Sequence, residues 1–472
     1  MGRNLASGPA HAIVRPDDGA APAQRKNAAV PATNDPVARA PRARATLLML
    51  TALSALAFMD RQILAVLLVP VKAEFGLSDL QAGLVTGLGF ALTFGLIGVP
   101  LGRVADRHER RRLVAWCRGA GGALAALGAA AGSACMLALT RAGAAVSDGG
   151  GAPASLSMIA DLYPPHERSR AMSVFTAGAT FGSLLALLGG AWLAQHFGWR
   201  VTLATIGLAS MAAALALRFS VREPQRGRFG AAAAVPPQVP APAPDAAGEP
   251  RGAVRAVWAD GVARWLIVAA TFALLAGYSF GVWNFAYLMR GHGLSATGAG
   301  AVTGLSALGS LVGGIVAGTF TDRLVRRDPR WQMGVPIVGV GIALPAGLAY
   351  LAIAPGAVAP AVVLMTVFSF FIAFWIAPTY AALSLVVPPE RRAVASAMVM
   401  IVGAVGGSGI GPVLTGALSD AFSGRVDGDP LRPALALMLA LLLGAAAALA
   451  AAMRAYATRL APVRPAAAES HA

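Results

Sequence analysis

Gly76-Leu-Ser-Asp-Leu-Gln-Ala-Gly-Leu-Val-Thr-Gly87 recurs later in the chain as Gly293-Leu-Ser-Ala-Thr-Gly-Ala-Gly-Ala-Val-Thr-Gly304, so the sequence contains an internal repeat. Each copy leads into an apolar segment that ends in the pattern Gly-x-x-x-Asp-Arg, at residues 102–107 and 318–323. A third pair of landmarks follows in the same order: Pro164-Pro165 with Arg168, and Pro388-Pro389 with Arg391. Three matches in one order are rarely met by chance. The sequence therefore predicts two related halves in a parallel repeat, with any substrate bound between them.

The composition is that of a membrane protein. Hydrophobic residues make up 57% of the 472 residues and charged residues only 13%, with a mean hydropathy of +0.65, which exceeds what one soluble core requires. The apolar residues come in blocks long enough for a helix to cross roughly 30 Å of hydrocarbon, and no alternating pattern favours a transmembrane barrel. The blocks lie near residues 46–69, 81–101, 112–133, 136–163, 170–194, 200–219, 265–289, 297–320, 333–353, 360–386, 393–421 and 433–455. We predict an all-α integral membrane protein with about twelve spans, six in each half.

The basic residues report orientation rather than nucleic-acid binding. The formal net charge is +16, but the Lys and Arg residues form short clusters between the apolar blocks, mainly after the even-numbered spans. Because cytoplasmic loops are enriched in Lys and Arg, both termini are predicted to be cytoplasmic. The expected location is a cell membrane, most simply the bacterial inner membrane, and no nucleic-acid partner is expected.

Composition also divides the chain into domains. Residues 1–44 are rich in Ala, Pro and polar residues and predict a disordered amino-terminal tail. A Pro/Ala-rich stretch at residues 235–244 marks a cytoplasmic linker over 223–260. The predicted six-helix halves are therefore 45–222 and 261–456, with a carboxyl-terminal tail at 457–472.

The first Gly-x-x-x-Asp-Arg segment belongs to a longer motif. Gly102-Arg-Val-Ala-Asp-Arg-His-Glu-Arg-Arg111 resembles the loop motif of the major facilitator superfamily, and residues 318–327 resemble a degenerate second copy. One departure is Glu109, where the family usually has glycine. The resemblance implies that the loop stabilises a cytoplasmic gate; the alternative is a simple positive-inside cluster. The implied gating residues are Gly102, Asp106, Arg107, Arg110, Gly318, Asp322, Arg323 and Arg326.

Within this superfamily the chain is most similar to the spinster-like branch of lysolipid and sphingolipid transporters and their bacterial relatives. The residues that carry this resemblance are Met59-Asp-Arg-Gln62, Phe75-Gly-Leu-Ser-Asp79, Gly198-Trp-Arg200, Arg222-Glu-Pro224, and Gly411-Pro412 to Asp420. Organic-anion carriers of the superfamily share an Asp-Arg in span one. In span four the branch has a glutamate where this chain has Asp148, so the resemblance implies proton coupling there with a shorter side chain.

Four ionisable residues fall inside apolar spans of the first half: Asp60, Arg61, Arg141 and Asp148. A charged side chain in a membrane costs several kcal/mol unless it is paired or hydrated, so its presence suggests a function. Arg141 and Asp148 are two helical turns apart and would share one face. We interpret the two aspartates as proton-sensitive and the two arginines as their partners and as contacts for an anionic substrate; a static packing network is the alternative.

The second half offers aromatic and weakly polar side chains instead of charges. The predicted substrate-cavity residues are Tyr278, Trp283 and Asn284 in span seven and Tyr380 in span ten. A charged wall opposite an aromatic wall suits an amphiphile or an aromatic acid. Packing against lipid is the alternative for aromatic residues near span ends.

These observations predict a secondary transporter that moves a small amphiphilic or anionic organic molecule, such as a lysolipid, by alternating access with proton coupling. A proton symporter for aromatic or sugar acids is the main alternative, and a non-transporting membrane sensor is a weaker one. No nucleophile-base pair, phosphate-binding loop or metal-ligand cluster is visible, so neither an enzyme, a cofactor nor a metal site is expected. The expected partners are the substrate, the proton and the bilayer, and the expected state is a monomer.

Overall fold

The computed structural model describes residues 36–89, 91, 93, 97, 100–101, 104, 108–225, 250–388 and 391–460. The described residues from Ala43 onward form one compact unit, which contains every side-chain contact discussed below. Regular secondary structure among the described residues is entirely helical. Eight of the described helical segments are long and apolar enough to span a membrane. The predicted all-α membrane fold is confirmed.

The helices follow the predicted spans with several subdivisions. In chain order they are α1 (Pro36–Phe75), α2 (Asp79–Gly83), α3 (Arg110–Gly128), α4 (Ala134–Ala144), α5 (Val146–Leu162), α6 (Pro165–Leu185), α7 (Ala191–Ser220), α8 (Pro250–Ala259), α9 (Gly261–His292), α10 (Ala296–Val325), α11 (Trp331–Ala352), α12 (Val358–Ile372), α13 (Ile376–Val386), α14 (Arg392–Ile401), α15 (Gly411–Phe422) and α16 (Leu431–Leu460).

Three differences from the sequence-based expectations concern boundaries. Helix α1 begins at Pro36, inside the predicted tail, and α8 forms inside the predicted linker. The rest of both segments lies outside the described residues, except for residues 223–225 and Asp260. The second Gly-x-x-x-Asp-Arg segment was expected to form a turn, yet α10 continues through it to Val325. Thr319 and Thr321 donate hydrogen bonds to carbonyls in the preceding turn, so their hydroxyl groups are satisfied within the helix.

Several spans contain local changes of helical pitch. Wider π-helical turns occupy Leu84–Leu88, Ala186–Gly190 and Val402–Ile410, and a 3₁₀ turn at Ala373–Trp375 separates α12 from α13. Spans five and six meet at Gly198, whose φ of 80° is accessible mainly to glycine. Such irregular turns are frequent at functional sites in long helices.

Glycine allows the helix backbones to approach one another closely. A Cβ placed on Gly182 in α6 would lie 2.0 Å from the carbonyl oxygen of Ala55 in α1, and one on Gly313 in α10 would lie 2.1 Å from that of Phe370 in α12. Neither position can accept a side chain without separating the helices. In contrast, large apolar residues such as Leu139 and Phe219 are 68% and 81% exposed, as expected for side chains facing lipid. Small residues therefore determine the helix packing.

Candidate functional site

A bidentate ion pair joins the first and fourth spans deep in the first half. The two terminal nitrogens of Arg141 donate to the two carboxylate oxygens of Asp60 at 2.7 Å and 3.1 Å, and one also donates to the Asp60 carbonyl at 2.8 Å. The Arg141 side chain is 5% exposed and that of Asp60 is 14% exposed. Charge-assisted, bidentate contacts of this kind are the strongest hydrogen bonds available to side chains. The structure thus pairs two of the four predicted residues with each other.

Asp148 pairs with a different arginine, which the sequence analysis did not single out. Arg118 in α3 donates to Asp148 at 3.0 Å and to the Ser147 hydroxyl at 3.0 Å. Arg118 and Asp148 are 3% and 10% exposed by side chain. A Cβ on Gly151 would lie 2.6 Å from the Arg118 Nε, so this glycine provides the space that the guanidinium occupies. Arg118 could have been identified as a lone arginine inside the predicted third span.

Span four is divided at Ala145, which explains why its two charged residues have separate partners. Helix α4 ends at Ala144 and α5 begins at Val146. The amide of Ala145 bonds to Ala142 O, and that of Asp148 bonds to Ala145 O, both three residues back rather than four. The tighter turn rotates Asp148 relative to a uniform helix. Arg141 therefore contacts α1 while Asp148 contacts α3.

Arg61 connects the two halves. Its guanidinium donates to the Tyr278 hydroxyl of α9 at 3.4 Å and lies 5.8 Å from the centre of the same ring. Tyr278 in turn packs closely against the backbone of span eleven, since a Cβ on Gly407 would lie 2.5 Å from the ring. Tyr380 is half-buried on α13. The structure therefore brings Tyr278 to one of the predicted charged residues, Arg61.

Trp283 and Asn284 occupy the interior of the second half instead. Trp283 is 0% exposed and its indole donates to the Pro412 carbonyl at 2.9 Å. Asn284 is 1% exposed, accepts from the Tyr350 hydroxyl at 2.7 Å, and donates to the Met365 sulfur at 3.4 Å. Their polar groups are engaged by protein atoms. The structure does not bring these two residues to the Arg61–Tyr278 contact.

The cytoplasmic end of the first half has its own ion network, centred on the predicted gating residue Arg110. This side chain is 3% exposed and donates to Asp161 at 2.6 Å and to Glu223 at 3.0 Å. It also donates to Ser157 at 2.9 Å and to the Pro224 carbonyl at 3.1 Å. The network ties α3 to α5 and to the segment after α7. In the sequence, Arg222-Glu-Pro224 contributes to the resemblance to the spinster-like branch, but nothing in the sequence indicates that Glu223 and Pro224 contact Arg110.

The other predicted gating residues are less informative. Gly102, Asp106 and Arg107 lie outside the described residues. In the second copy Asp322, Arg323 and Arg326 are exposed on the final turns of α10 and just after it. Among the described residues, no group of three His, Cys, Asp or Glu side chains is placed to hold a metal ion.

The fold agrees with comparisons to known proteins. Residues 50–412 match the family described as Major Facilitator Superfamily. An MFS-type efflux pump of Mycolicibacterium smegmatis is 34% identical over 406 residues, which cover 84% of this chain and 90% of that protein. The gallate transporter of Pseudomonas putida is 27% identical over 259 residues, covering 50% of this chain and 57% of that protein.

A solved structure is similar over nearly the whole fold. A bacterial homolog to the human lysosomal transporter Spinster, in an inward-facing and unoccupied conformation, superposes with a TM-score of 0.73 at 26% identity. The match covers 89% of this chain and 98% of that chain. The chain belongs to the major facilitator superfamily: it is a multi-pass transporter of the cell membrane that resembles the spinster-like branch.

Proposed function

We propose that this transporter couples a proton to a small organic molecule with an anionic group, and that the coupling takes place at the Asp60–Arg141 pair. The observation that carries the proposal is the bidentate contact between Asp60 and Arg141. Arg61, which follows Asp60 in the chain, contacts Tyr278 of the second half. A buried carboxylate that holds an arginine competes with any other anion for the same guanidinium.

Protonation of Asp60 would remove that competition. The neutral acid no longer attracts the Arg141 guanidinium as an anion does, so the arginine becomes available to an anionic substrate. By reciprocity, a bound anion that attracts Arg141 favours the protonated form of Asp60. Proton and anion therefore bind together, and the pair works as a coupling device without any cofactor.

Asp148 has a different role in this scheme. Its carboxylate is held by Arg118 and its neighbour Ser147 within the first half, away from Tyr278. We assign this second pair to the packing of α3 on α5. Asp60 is then the residue on which proton coupling depends.

The proposed substrate class is an amphiphile, such as a lysolipid, with its anionic head at Arg61 and Arg141 and its apolar part on Tyr278 and Tyr380. Arginine suits a phosphate or carboxylate head, and aromatic rings suit an apolar body. The second candidate is an aromatic or sugar acid, favoured by the similarity to the gallate transporter. A non-transporting sensor is the third possibility.

Uptake into sealed proteoliposomes tests the proposal. With an imposed pH gradient, we expect lysolipid or aromatic-acid accumulation that exceeds passive exchange, and we expect Asp60→Asn to remove the effect of the gradient while the substrate still binds. Binding without accumulation in the parent protein would favour the sensor. A gradient response that persists in Asp60→Asn would refute coupling at this residue.

Variants of the two walls separate the substrate classes. Arg141→Lys keeps the charge but loses the bidentate geometry, so it should weaken binding of either class. Tyr278→Ala should weaken binding of an amphiphile strongly and of a hydrophilic acid only slightly. The matched control is Tyr287→Phe, because Tyr287 is 3% exposed and its hydroxyl donates within the second half to the Leu351 carbonyl.

A further inference from the structure

Two pairs of helices meet across the halves in the same way. The carboxylate of Asp420 in α15 accepts from the amides of Asp79 and Leu80, both at 2.9 Å. These amides begin a helical segment that runs from Asp79 through Leu88. In the other pair, the side-chain oxygen of Gln195 in α7 accepts from the Thr297 amide at 2.9 Å and from its hydroxyl at 2.7 Å. Each helix start is thus capped by a side chain from the opposite half.

The internal repeat relates the two caps. Leu80 and Thr297 hold the same place in the two copies of the motif, as do Gly83 and Gly300. A Cβ on Gly83 would lie 2.6 Å from the Pro412 carbonyl oxygen, and one on Gly300 would lie 2.0 Å from that of Leu187. Pro412 precedes Asp420 by the same eight positions that separate Leu187 from Gln195. The caps are therefore equivalent features of one pseudo-symmetric interface.

We call the first contact, between residues 79–83 and residues 412–420, the charged seam, and the second, between residues 297–300 and residues 187–195, the neutral seam. Both seams lie at the carboxyl-terminal ends of odd-numbered spans, near the ends of α1 and α9. The positive-inside pattern predicts that these ends of the spans face outside the cell. They are therefore placed to close the outer end of the transporter.

Among the described residues, additional ion pairs reinforce the charged seam. The Asp79 carboxylate is 2% exposed, forms an ion pair with Lys72, and accepts from Arg290 at 3.1 Å and from the Ser419 hydroxyl at 2.6 Å. Arg290 also donates to Asp429 at 2.9 Å. Lys72 comes from the first half, whereas Arg290, Ser419 and Asp429 come from the second. At the neutral seam, Gln195 is exposed and carries no charge.

We propose that the outer gate has two unequal sides. The capping side chain is charged at Asp420 and neutral at Gln195, and this charge determines how firmly each seam holds the outer end closed. A carboxylate at a helix start is favoured by the helix dipole, and a hydrogen bond with an ionised partner is roughly twice as strong as a neutral one. The neutral seam is therefore the weaker contact, where the outer end begins to open. This inference rests on the proposed alternating-access function but not on its coupling residue or its cargo.

Two isosteric substitutions test this in opposite directions. Asp420→Asn removes the charge from the charged seam, and Gln195→Glu adds one to the neutral seam. Both exchanges change the shape of the side chain very little: Gln195→Glu adds one charge, and Asp420→Asn removes one charge together with one of the two oxygens that accept backbone amides. We expect an approximately fivefold change in the ratio of closed to open outer ends for Gln195→Glu and at least as large a change for Asp420→Asn. The ratio should fall in Asp420→Asn and rise in Gln195→Glu. The double variant should return towards the parent value.

The native sequence supplies one of two reporter sites. Cys135 is exposed at the start of α4, and Cys117 is buried and can be replaced by alanine. The loop before Cys135 is at the outer end, since Arg200 donates to the Ala131 carbonyl and pairs with Glu74 of α1. Ala354→Cys provides an exposed second site in the loop after α11.

Pulsed electron spin resonance on protein labelled at these two sites in nanodiscs gives the distance distribution across the outer end. A longer distance in Asp420→Asn together with a shorter one in Gln195→Glu supports the proposal. An unchanged or longer distance in Gln195→Glu overturns it, because this variant retains every native contact and gains a charge. Loss of pH-driven transport coupling in Asp60→Asn is measured separately, so either proposal can fail without the other.

Discussion

The buried Arg118–Asp148 pair gives the most quantitative prediction. Removing one member leaves the other charged and unpaired in a site where they are only 3% and 10% exposed. Breaking a buried ion pair in this way destabilises proteins by about 3–5 kcal/mol, whereas replacing both partners by apolar residues is often neutral. We expect Arg118→Met and Asp148→Leu each to lower the free energy of unfolding by about that amount.

The double variant should recover most of the loss, since no unpaired charge remains. A double-mutant cycle on detergent-solubilised protein, measured by intrinsic tryptophan fluorescence during thermal unfolding, isolates this coupling. The double variant should also keep pH-dependent transport, because Asp60 and Arg141 are intact. Additive losses would refute the assignment of this pair to packing, and so would a double variant that folds normally but no longer responds to pH.

Three further predictions concern other parts of the molecule. At the cytoplasmic end, Glu223→Gln should lower both melting temperature and transport, because Arg110 loses one of its two ionised partners while 3% exposed; transport equal to that of the parent would count against a role in gating. Gly182→Ala should destabilise the packing of α1 on α6, because its Cβ would lie 2.0 Å from a carbonyl oxygen, whereas Gly189→Ala, with open space around it, is the matched control. The outer end should stay closed as the external pH falls from about 8 to about 5. Burial raises the pKa of Asp79, but Lys72, Ser419 and Arg290 together outweigh it and hold the pKa below the usual value of an aspartate, so the ion pairs fail only under stronger acid. At Asp429, burial raises the pKa despite the nearby Arg290, so acidification favours the closed form at this residue too. Opening of the outer end with a midpoint between about pH 8 and about pH 5, measured by the same spin-label distance and absent in Asp79→Asn, would contradict this prediction.

Much of the fold could be predicted from the sequence, because hydropathy and the repeat act over many residues. The apolar blocks matched the helices of the described chain, and the landmarks in each half identified equivalent positions. Boundaries were less certain: the Pro/Ala-rich stretch at 235–244 led to the assignment of residues 223–260 to a linker, and α8 forms within it at Pro250–Ala259. A composition signal averages over a window and does not detect a single short helix.

The candidate site was harder to predict because pairing depends on helix rotation. Spacing alone placed Arg141 and Asp148 on one face, but the tighter turn at Ala145 gives each its own partner. The same limitation applies to Trp283 and Asn284, whose polar groups favoured a cavity in the sequence but are satisfied in the interior. Asp79 was noted only within a family motif, because its partners Arg290 and Ser419 are more than 200 residues away.

The glycine contacts have a consequence for the diversity of this superfamily. At Gly83, Gly182, Gly300 and Gly313 the opposing atoms are backbone carbonyls, which every amino acid carries. The fit between these helices therefore depends little on the identity of the opposing side chains. Side chains elsewhere in these helices can therefore change without loosening the contacts at the four glycines. The helix packing is thus compatible with wide divergence in sequence, as between this chain and a solved structure that shares its fold at 26% identity.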